Sequence, residues 1–457
     1  MHKTISPYYT LFFLLIFTAC QTSAPPPSEA ASEFIGVEIS EIEDELQTLI
    51  GLWYPRIVDT IKGGYFTNFE YDWSPSEKQP KMLVTQARGL WTAARMAQHF
   101  PKKKGLLEAA DHGYLFLTTE MWDAENGGFF MDWIPSSERT SQPGFHLTYA
   151  NAFALYALAE YAKINPDPGV LAWVEKVFNW LEEQAYDADK GGYFNLVFLD
   201  KTLEAQAQAG EANVGWGGGQ WKGQNTSIHI LEALMNVFQV LPTAEVKTRL
   251  AEMLQVVRDS FVRENGSLRL YYTNDWQPID YSDSSRTFIL AALGDDHVSF
   301  GHDIETAFLL LEAAEILEGG AADQKTEQVA KKMIDHTLAH GFDTDYQGLF
   351  DKGYYFKGAS GIEVLDKKKT WWAQAEAWHA LGLFAQHYPE EPLYAEAFQG
   401  MWRYLRTYQI DPIHGGWYNN GIDEDPESKT ARKAHPWKSA YHNGRALVRV
   451  IEYTGVE

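Results

Sequence analysis

Three histidines stand near the start of three separate segments that carry the apolar pattern of an α-helix. The segments read NTSIHILEAL around His229, FGHDIETAF around His302 and SAYHNGRAL around His442. Apolar residues recur at i, i+3, i+4 and i+7, the spacing of one helix face. Imidazole changes its charge near neutral pH and often serves as a general acid or base. The three histidines therefore predict proton transfer at a carbon atom next to a carbonyl group.

Other polar side chains occupy the first turns of the same segments and of three similar ones. We expect Glu305 to orient His302, because residues three apart share a helix face. We expect Arg88 or His229 to stabilise the oxyanion that forms when the carbon loses its proton. Asp303 is expected to oppose the helix dipole, and Ser299 to cap the helix. The further candidates for this site are Tyr149, Asn225, Trp371, Trp372, Glu376 and Trp437.

Other interpretations compete with proton transfer. A single histidine in an apolar helix is usually a core residue, but three at equivalent positions are explained more simply by one site. Three histidines could bind zinc, yet they lack the H-x-x-x-H spacing, and Arg88 would repel a cation, so we expect no metal. His336 and His340 have that spacing, but a surface position is expected for them on an outer helix. Glycoside hydrolysis needs two facing carboxyl groups, and no phosphate loop or dinucleotide motif indicates a cofactor.

A repeated glycine-aromatic motif indicates how these segments are arranged. It recurs six times, as GGYF, GGFF, GGYF, NGSL, QGLF and GGWY, with two helical patterns between successive copies. Six helix pairs predict an all-α fold, a closed (α/α)6 barrel of twelve helices with short Gly-turn hairpins between the pairs. The second helix of each pair would form the inner ring, so their first turns would meet at one end. These helices are predicted to begin near Thr85, His146, Asn225, Phe300, Thr370 and Pro436.

The N-terminus and the composition limit where the protein acts. Residues 1–19 resemble a lipoprotein signal peptide that ends before Cys20, the only cysteine, which is the predicted lipidation site. An ordinary cleaved signal is the alternative. Residues 20–35 are predicted to be a flexible tether and residues 36–457 a single catalytic domain. The net charge of −24 argues against nucleic acid as a partner. We expect a lipid-anchored monomer or weak dimer in the cell envelope, on the outer membrane and facing the periplasm.

The sequence also resembles a known family. The motifs RGLW, NTSIHILEA, GHDIE, WWAQAEA and PWKSAYHNGR are similar to those of the N-acylglucosamine 2-epimerase superfamily, and within it to the cellobiose/mannobiose 2-epimerases. The resemblance covers nearly the whole chain after the tether and implies an (α/α)6 barrel. It implies that His302 and His442 are the paired acid and base, with Glu305 as partner of the catalytic histidine. It further implies that Arg88 and His229 hold an enediolate, and that Trp372 and Trp437 bind the sugar with support from Asn225 and Glu376. Trp371 and Tyr149 are expected to contact the substrate from their positions at the helix starts.

Three functions remain open at this point. The first is an isomerase that inverts C2 of the reducing-end sugar in β-1,4-linked disaccharides, converting cellobiose to glucosyl-mannose and mannobiose to mannosyl-glucose. The second is a monosaccharide 2-epimerase or an aldose–ketose isomerase, which would share the enediolate intermediate. The third is a non-catalytic glycan-binding lipoprotein, in which tryptophans stack on sugars and the histidines are incidental. In each case the partner is a small carbohydrate.

Overall fold

A computed structural model describes residues 33–134, 144–215 and 219–454. The predicted signal, Cys20 and most of the predicted tether lie outside this described part. The described part contains these α-helices: α1 (Ile39–Trp53), α2 (Leu83–His99), α3 (Lys104–Phe116), α4 (Thr148–Ile164), α5 (Pro168–Trp180), α6 (Lys201–Gln208), α7 (Gln224–Val240), α8 (Ala244–Val256), α9 (Arg286–Ala291), α10 (Phe300–Glu318), α11 (Gln324–His340), α12 (Trp371–His387), α13 (Pro392–Tyr404) and α14 (Tyr441–Tyr453).

Twelve of these helices form two concentric rings. The inner helices α2, α4, α7, α10, α12 and α14 contact one another in this order, and α14 also contacts α2, which closes the ring. Their outer partners are α3, α5, α8, α11, α13 and α1, respectively. The inner helices are rich in alanine and leucine and are buried on nearly all sides, as expected for elements enclosed by a second layer. The predicted (α/α)6 barrel is confirmed; α6 and α9 are short additions to it.

Short antiparallel strands and single bridges close the turns between the helices. In the first turn both glycines have positive φ, 79° at Gly63 and 64° at Gly64, and Val58 pairs with Tyr65 across it. A Cβ atom at Gly64 would lie 2.5 Å from Oε1 of Gln86, so only glycine fits. The strands are β1 (Glu33–Phe34), β2 (Val37–Glu38), β3 (Phe145–Leu147), β4 (Leu196–Phe198), β5 (Trp221–Gly223), β6 (Tyr271–Thr273), β7 (Val298–Ser299), β8 (Phe342–Asp343), β9 (Gly348–Leu349), β10 (Lys352–Tyr354) and β11 (Glu363–Asp366).

A buried ion pair connects the turn of most repeats to the inner helix that follows. Four residues before the first position of the glycine-aromatic motif, an aspartate accepts backbone N–H groups of its own turn with one oxygen, as Asp59 does from Lys62. The other oxygen pairs with a basic residue that, in most repeats, stands two positions before the inner helix. The ion pairs are Asp59–Lys81 at 2.8 Å, Asp187–Lys222 at 2.6 Å, Asp343–Lys369 at 2.7 Å and Asp411–Lys433 at 2.6 Å. In the second repeat His146, whose pKa is lowered by burial, takes the place of the lysine, with Nε2 3.2 Å from Asp123.

The fourth residue of four inner helices makes a second repeated contact. In α10 this residue is Asp303, which is fully buried and accepts the Leu268 N–H at 2.9 Å. Gln86, Asn151 and Gln374 accept the equivalent N–H groups in their repeats. The carboxyl group of Asp303 thus joins two repeats, and its expected interaction with the helix dipole in the first turn of α10 stays a prediction.

Two further sequence predictions, the start of the last inner helix and the surface position of His336, need correction. The last inner helix begins at Tyr441 rather than near Pro436, because residues 435–438 form a tight bridged turn. His336 is buried, with Nε2 2.8 Å from the Tyr355 hydroxyl, so its expected surface position is wrong; His340 is exposed. None of the helices in the described part is both long and apolar enough to span a membrane.

Candidate active site

The first turns of the inner helices surround a cavity of about 300 Å³ at one end of the barrel. We call this the mouth cavity. Its wall contains ten of the eleven residues predicted for the site, so their convergence is confirmed. The eleventh, Glu376, lies buried directly behind His442. The lining residues are Arg88, Tyr149, Asn225, His229, His302, Glu305, Trp371, Trp372, Trp437 and His442.

His442 is held by a buried carboxylate. Its Nδ1 lies 2.6 Å from Oε1 of Glu376, which is on α12 and is fully buried. An ionised carboxylate at this distance can only accept, which would place the hydrogen on Nδ1 and leave the lone pair on Nε2. His229 has the same arrangement, with Nδ1 2.9 Å from Oε2 of Glu232. With these carboxylates ionised, both rings can accept a proton at Nε2.

His302 has a different partner from the one predicted. Its Nδ1 lies 2.7 Å from the Ser299 hydroxyl. In the described part of the chain no hydrogen bond joins it to Glu305, so that predicted pairing is wrong. Ser299 stands at the N-cap position of α10 but makes no capping hydrogen bond, so the capping expectation is also wrong. A hydroxyl can donate or accept, so His302 can hold its proton on either nitrogen.

Glu305 points away from His302 towards the barrel axis and Arg445. Oε1 of Glu305 lies 2.9 Å from Nη2 of Arg445, and Oε2 of Glu376 lies 2.7 Å from the same nitrogen. Nη1 of Arg445 also donates to Glu232, which the Tyr441 hydroxyl contacts at 2.8 Å. Three carboxyl groups from three inner helices thus converge on one guanidinium. Arg445 and Glu232 were not predicted to have a role in the site. Each is a charged residue one helical turn after a site histidine, and this spacing could have identified them.

Burial keeps the three imidazoles of the mouth cavity uncharged. It lowers the pKa of His302 to about 3, with the nearby His229 ring adding to the effect. Burial, followed by the Arg88 charge, lowers the pKa of His229 and of His442 well below the usual value. Neutral rings of this kind can act as bases at neutral pH.

Arg88 brings a positive charge to the cavity wall between α4 and α14. Its guanidinium lies 4.5 Å from the ring centre of Phe153 and 5.2 Å from that of Tyr441. Nη1 donates to the Trp437 carbonyl at 3.2 Å, and Nη2 lies 3.3 Å from the Tyr149 hydroxyl. The guanidinium is thus held beside His229 and His442, where it can stabilise a negatively charged oxygen.

Three tryptophans shape the cavity. The Trp372 ring lies close to two of the histidines, with its centre 4.7 Å from that of His302 and 5.9 Å from that of His442. Gly301 allows this approach, because a Cβ atom there would lie 2.6 Å from the Trp372 ring. Trp371 is buried in the wall. Trp437 is 41% exposed at the rim, where an aromatic face can stack on a second sugar ring.

In the described part, two groups of acidic or histidine side chains have ligand atoms close enough together to hold a metal ion. One consists of Glu305, Glu376 and His442, and the Arg445 guanidinium lies in contact with both of its carboxyl groups. The other includes Asp343 and Asp423, which share the ammonium group of Lys369. In both groups a side-chain cation already occupies the position between the acids, so the donor sets do not favour a metal.

Comparison with known proteins identifies the family. The sequence model of the N-acylglucosamine 2-epimerase family matches residues 64–446, which is most of the chain. The chain belongs to this family. A cellobiose 2-epimerase from Bacteroides fragilis is 25% identical over 416 residues, which cover 90% of this chain and 98% of that protein. A D-mannose isomerase from Marinomonas mediterranea is 24% identical over 415 residues, with coverage of 90% and 96%.

A solved structure also resembles this member of the N-acylglucosamine 2-epimerase family. The cellobiose 2-epimerase from Spirochaeta thermophila superposes with a TM-score of 0.77 at 28% identity, over 91% of this chain and 96% of that chain. The two kinds of relative are both carbohydrate isomerases, one inverting a carbon centre and the other acting on mannose. The residues that line the mouth cavity provide the evidence for choosing between a disaccharide and a monosaccharide substrate.

Proposed function

We propose that this protein is a sugar epimerase that inverts C2 of the reducing-end residue of β-1,4-linked disaccharides such as cellobiose and mannobiose. The observation that carries the proposal is that His302 and His442 line one cavity, both beside Trp372. Inversion requires a proton to leave one face of the carbon and return to the other, so it needs two acid–base groups. The family membership and the relatives support the same reaction type.

The cavity side chains suggest how the reaction runs on the ring-opened sugar. His442, with Nδ1–H held by Glu376, uses its free Nε2 to take the C2 proton of one epimer. Electrons of the broken C–H bond move to the carbonyl oxygen and give an enediolate, whose negative charge faces Arg88 and His229. His302, with Ser299 at Nδ1, then delivers a proton from Nε2 to the opposite face. For the other epimer the two histidines exchange roles.

The rim of the cavity favours a disaccharide. Trp372 lies deep beside both histidines, where it can support the reacting ring, while Trp437 is 41% exposed above them. Half-buried Asn225 has a side-chain oxygen with no hydrogen-bond partner in the described structure, so it is available for a sugar hydroxyl. Two tryptophans at different depths fit two linked rings better than one.

Incubation of the purified protein with cellobiose, mannobiose and mannose in deuterated water tests this proposal. A C2-inverted disaccharide that carries deuterium at C2 is the expected product. Formation of a ketose from mannose would favour the second candidate, a monosaccharide isomerase, which the similarity to the D-mannose isomerase supports. No exchange on any of the three sugars would leave a glycan-binding protein as the better account.

We also propose that Cys20 carries a lipid anchor and that the barrel faces the periplasm from the outer membrane. The support is the short apolar N-terminal run that ends in Thr18-Ala19-Cys20. The expected result is that full-length protein incorporates labelled palmitate and fractionates with the outer membrane. Cys20→Ser should abolish both. Incorporation into Cys20→Ser, or none into the original chain, would contradict the anchor.

A further inference from the structure

Arg445 contacts three buried carboxyl groups inside the barrel but does not line the mouth cavity. It is on α14, one turn after His442, and is almost fully buried. Its guanidinium contacts Glu232, Glu305 and Glu376, which come from α7, α10 and α12. Two of these three carboxyl groups hold Nδ1 of a cavity histidine, Glu232 for His229 and Glu376 for His442. One guanidinium is therefore connected to two imidazoles through their acidic partners.

The charge balance of this cluster depends on Arg445. Burial raises the pKa of Glu376 and raises that of Glu305 to about 8, so both carboxyl groups tend to hold a proton. The Arg88 charge lowers both pKa values, and the Arg445 guanidinium, in direct contact with both carboxyl groups, is a second cation that favours their ionised form. Glu305 holds no histidine in the described structure, so a proton on Glu305 leaves the charge of Arg445 to the other two carboxylates.

The protonation of a carboxyl partner decides which nitrogen of the imidazole carries the hydrogen. An ionised carboxylate only accepts, so it fixes the proton on Nδ1 and leaves the Nε2 lone pair facing the cavity. A protonated carboxyl group can donate to Nδ1, and the ring hydrogen then moves to Nε2, which removes the lone pair from the substrate. His302 is exempt, because its Nδ1 partner is the hydroxyl of Ser299.

We propose that Arg445 is a positioning residue for the epimerase reaction. It keeps Glu232 and Glu376 ionised, and so holds His229 and His442 in the tautomer that presents Nε2 as a base. His302 is left free to carry its hydrogen on Nε2. His302, whose Nδ1 faces the Ser299 hydroxyl, can hold its hydrogen on either nitrogen and so can serve as the acid for one epimer and as the base for the other. This inference rests on the proposed function for its meaning, but the tautomers can be measured without any substrate.

Nitrogen NMR of protein labelled with ¹⁵N-histidine tests the proposal at pH 7. In the unaltered protein His229 and His442 should show hydrogen on Nδ1. Arg445→Met should move both towards Nε2–H and leave His302 unchanged. It should also lower kcat at least about tenfold, since a charge-assisted partner becomes neutral, with KM within about twofold. Arg445→Lys, which keeps the charge, should recover part of the lost kcat.

Arg449→Met is the matched control. Arg449 lies one turn farther along α14 and pairs with Glu312, which binds no histidine in the described structure. Its loss should lower stability without moving any of the three tautomers or the turnover of folded protein. Tyr441→Phe is a second control: it removes the hydroxyl that contacts both Glu232 and Nη1 of Arg445 but keeps the guanidinium, so it should shift His229 and His442 less than Arg445→Met does.

Two outcomes would overturn the inference. One is Arg445→Met with His442 still protonated on Nδ1 and kcat within twofold of the unaltered enzyme. The other is Arg449→Met shifting the histidines as Arg445→Met does, which would show a general effect of losing a buried cation. If instead the unaltered protein turns over no sugar, the proposed function fails while the tautomer result still decides the role of Arg445. If Arg445→Met does not fold, Arg445→Gln, which keeps a donor group and loses the charge, decides the point: His442 still protonated on Nδ1 in that variant contradicts the proposal.

Discussion

Glu376→Gln tests the role of the carboxylate behind His442. Glutamine has almost the same shape and can still accept the Nδ1–H hydrogen at Oε1, which lies 2.6 Å away in the structure. It loses the negative charge that stabilises the imidazolium formed when His442 takes a proton, and it loses the acceptor that Oε2 offers to Nη2 of Arg445 at 2.7 Å. Hydrogen bonds to charged groups contribute about 1.5–3 kcal/mol and neutral ones about 0.5–1.5 kcal/mol. The difference of about 1–2 kcal/mol corresponds to a decrease in kcat of about 5- to 30-fold.

The assay is the initial rate of cellobiose epimerisation over a range of substrate concentrations. KM should stay within about twofold, because Glu376 lies behind the cavity wall and not on it. Ser299→Ala provides the comparison: it removes a neutral hydrogen bond from His302, so its effect should be at most about tenfold. A Glu376→Gln enzyme whose kcat stays within twofold of the unaltered value would refute the view that a charged carboxylate supports His442.

Three other substitutions test other parts of the account. Burial raises the pKa of Asp303 to about 8 from its usual 3.8, so the folded protein keeps a proton that the unfolded chain releases, and stability should fall as pH rises from about 4 to 8. Asp303→Asn, which needs no proton and still accepts the Leu268 N–H, should be more stable by up to about 4 kcal/mol at pH 7. In urea unfolding its advantage should grow between pH 5 and 8, and an advantage that shrinks would mean an ionised Asp303. Lys222→Met should lower the free energy of unfolding by about 3–5 kcal/mol, because Asp187 loses its buried partner; a loss below 1 kcal/mol would contradict a structural role for the repeated ion pairs. Trp437→Ala should raise KM for cellobiose about tenfold, since a stacked aromatic contributes about 1 kcal/mol or more, and an equal change for mannose would argue against a second sugar position there.

Much of the site could be predicted from the sequence because the barrel repeats. Once six helix pairs are recognised, polar residues early in each second helix must meet at one end, and this brings His229, His302 and His442 into one cavity. Residues three apart share a helix face, but that rule does not fix where each side chain points. Glu305 follows His302 at this spacing, yet it turns to the barrel axis because Arg445 is there.

The residues that were missed or misassigned depend on neighbours that are distant in sequence. The sequence does not reveal that Asp303 contacts the Leu268 N–H, because Leu268 belongs to the preceding repeat. The role of Arg445 could not be predicted, because it depends on three acidic residues that come from three other helices. The late start of α14 at Tyr441 follows from a tight turn at residues 435–438 that the apolar pattern does not indicate. Pairings between repeats therefore required the three-dimensional arrangement.

Exchange of the C2 hydrogen by single-histidine variants tests the central claim of two bases most directly. His302→Ala and His442→Ala would each be incubated with cellobiose and, separately, with its C2 epimer in deuterated water, and deuterium at C2 followed by NMR. Each variant should lose epimerisation by about 10²-fold or more. Each should still exchange the C2 hydrogen of one epimer, a different epimer for each variant, because one base remains on one face. Near-normal epimerisation by either variant, or exchange of the same epimer by both, would contradict the account.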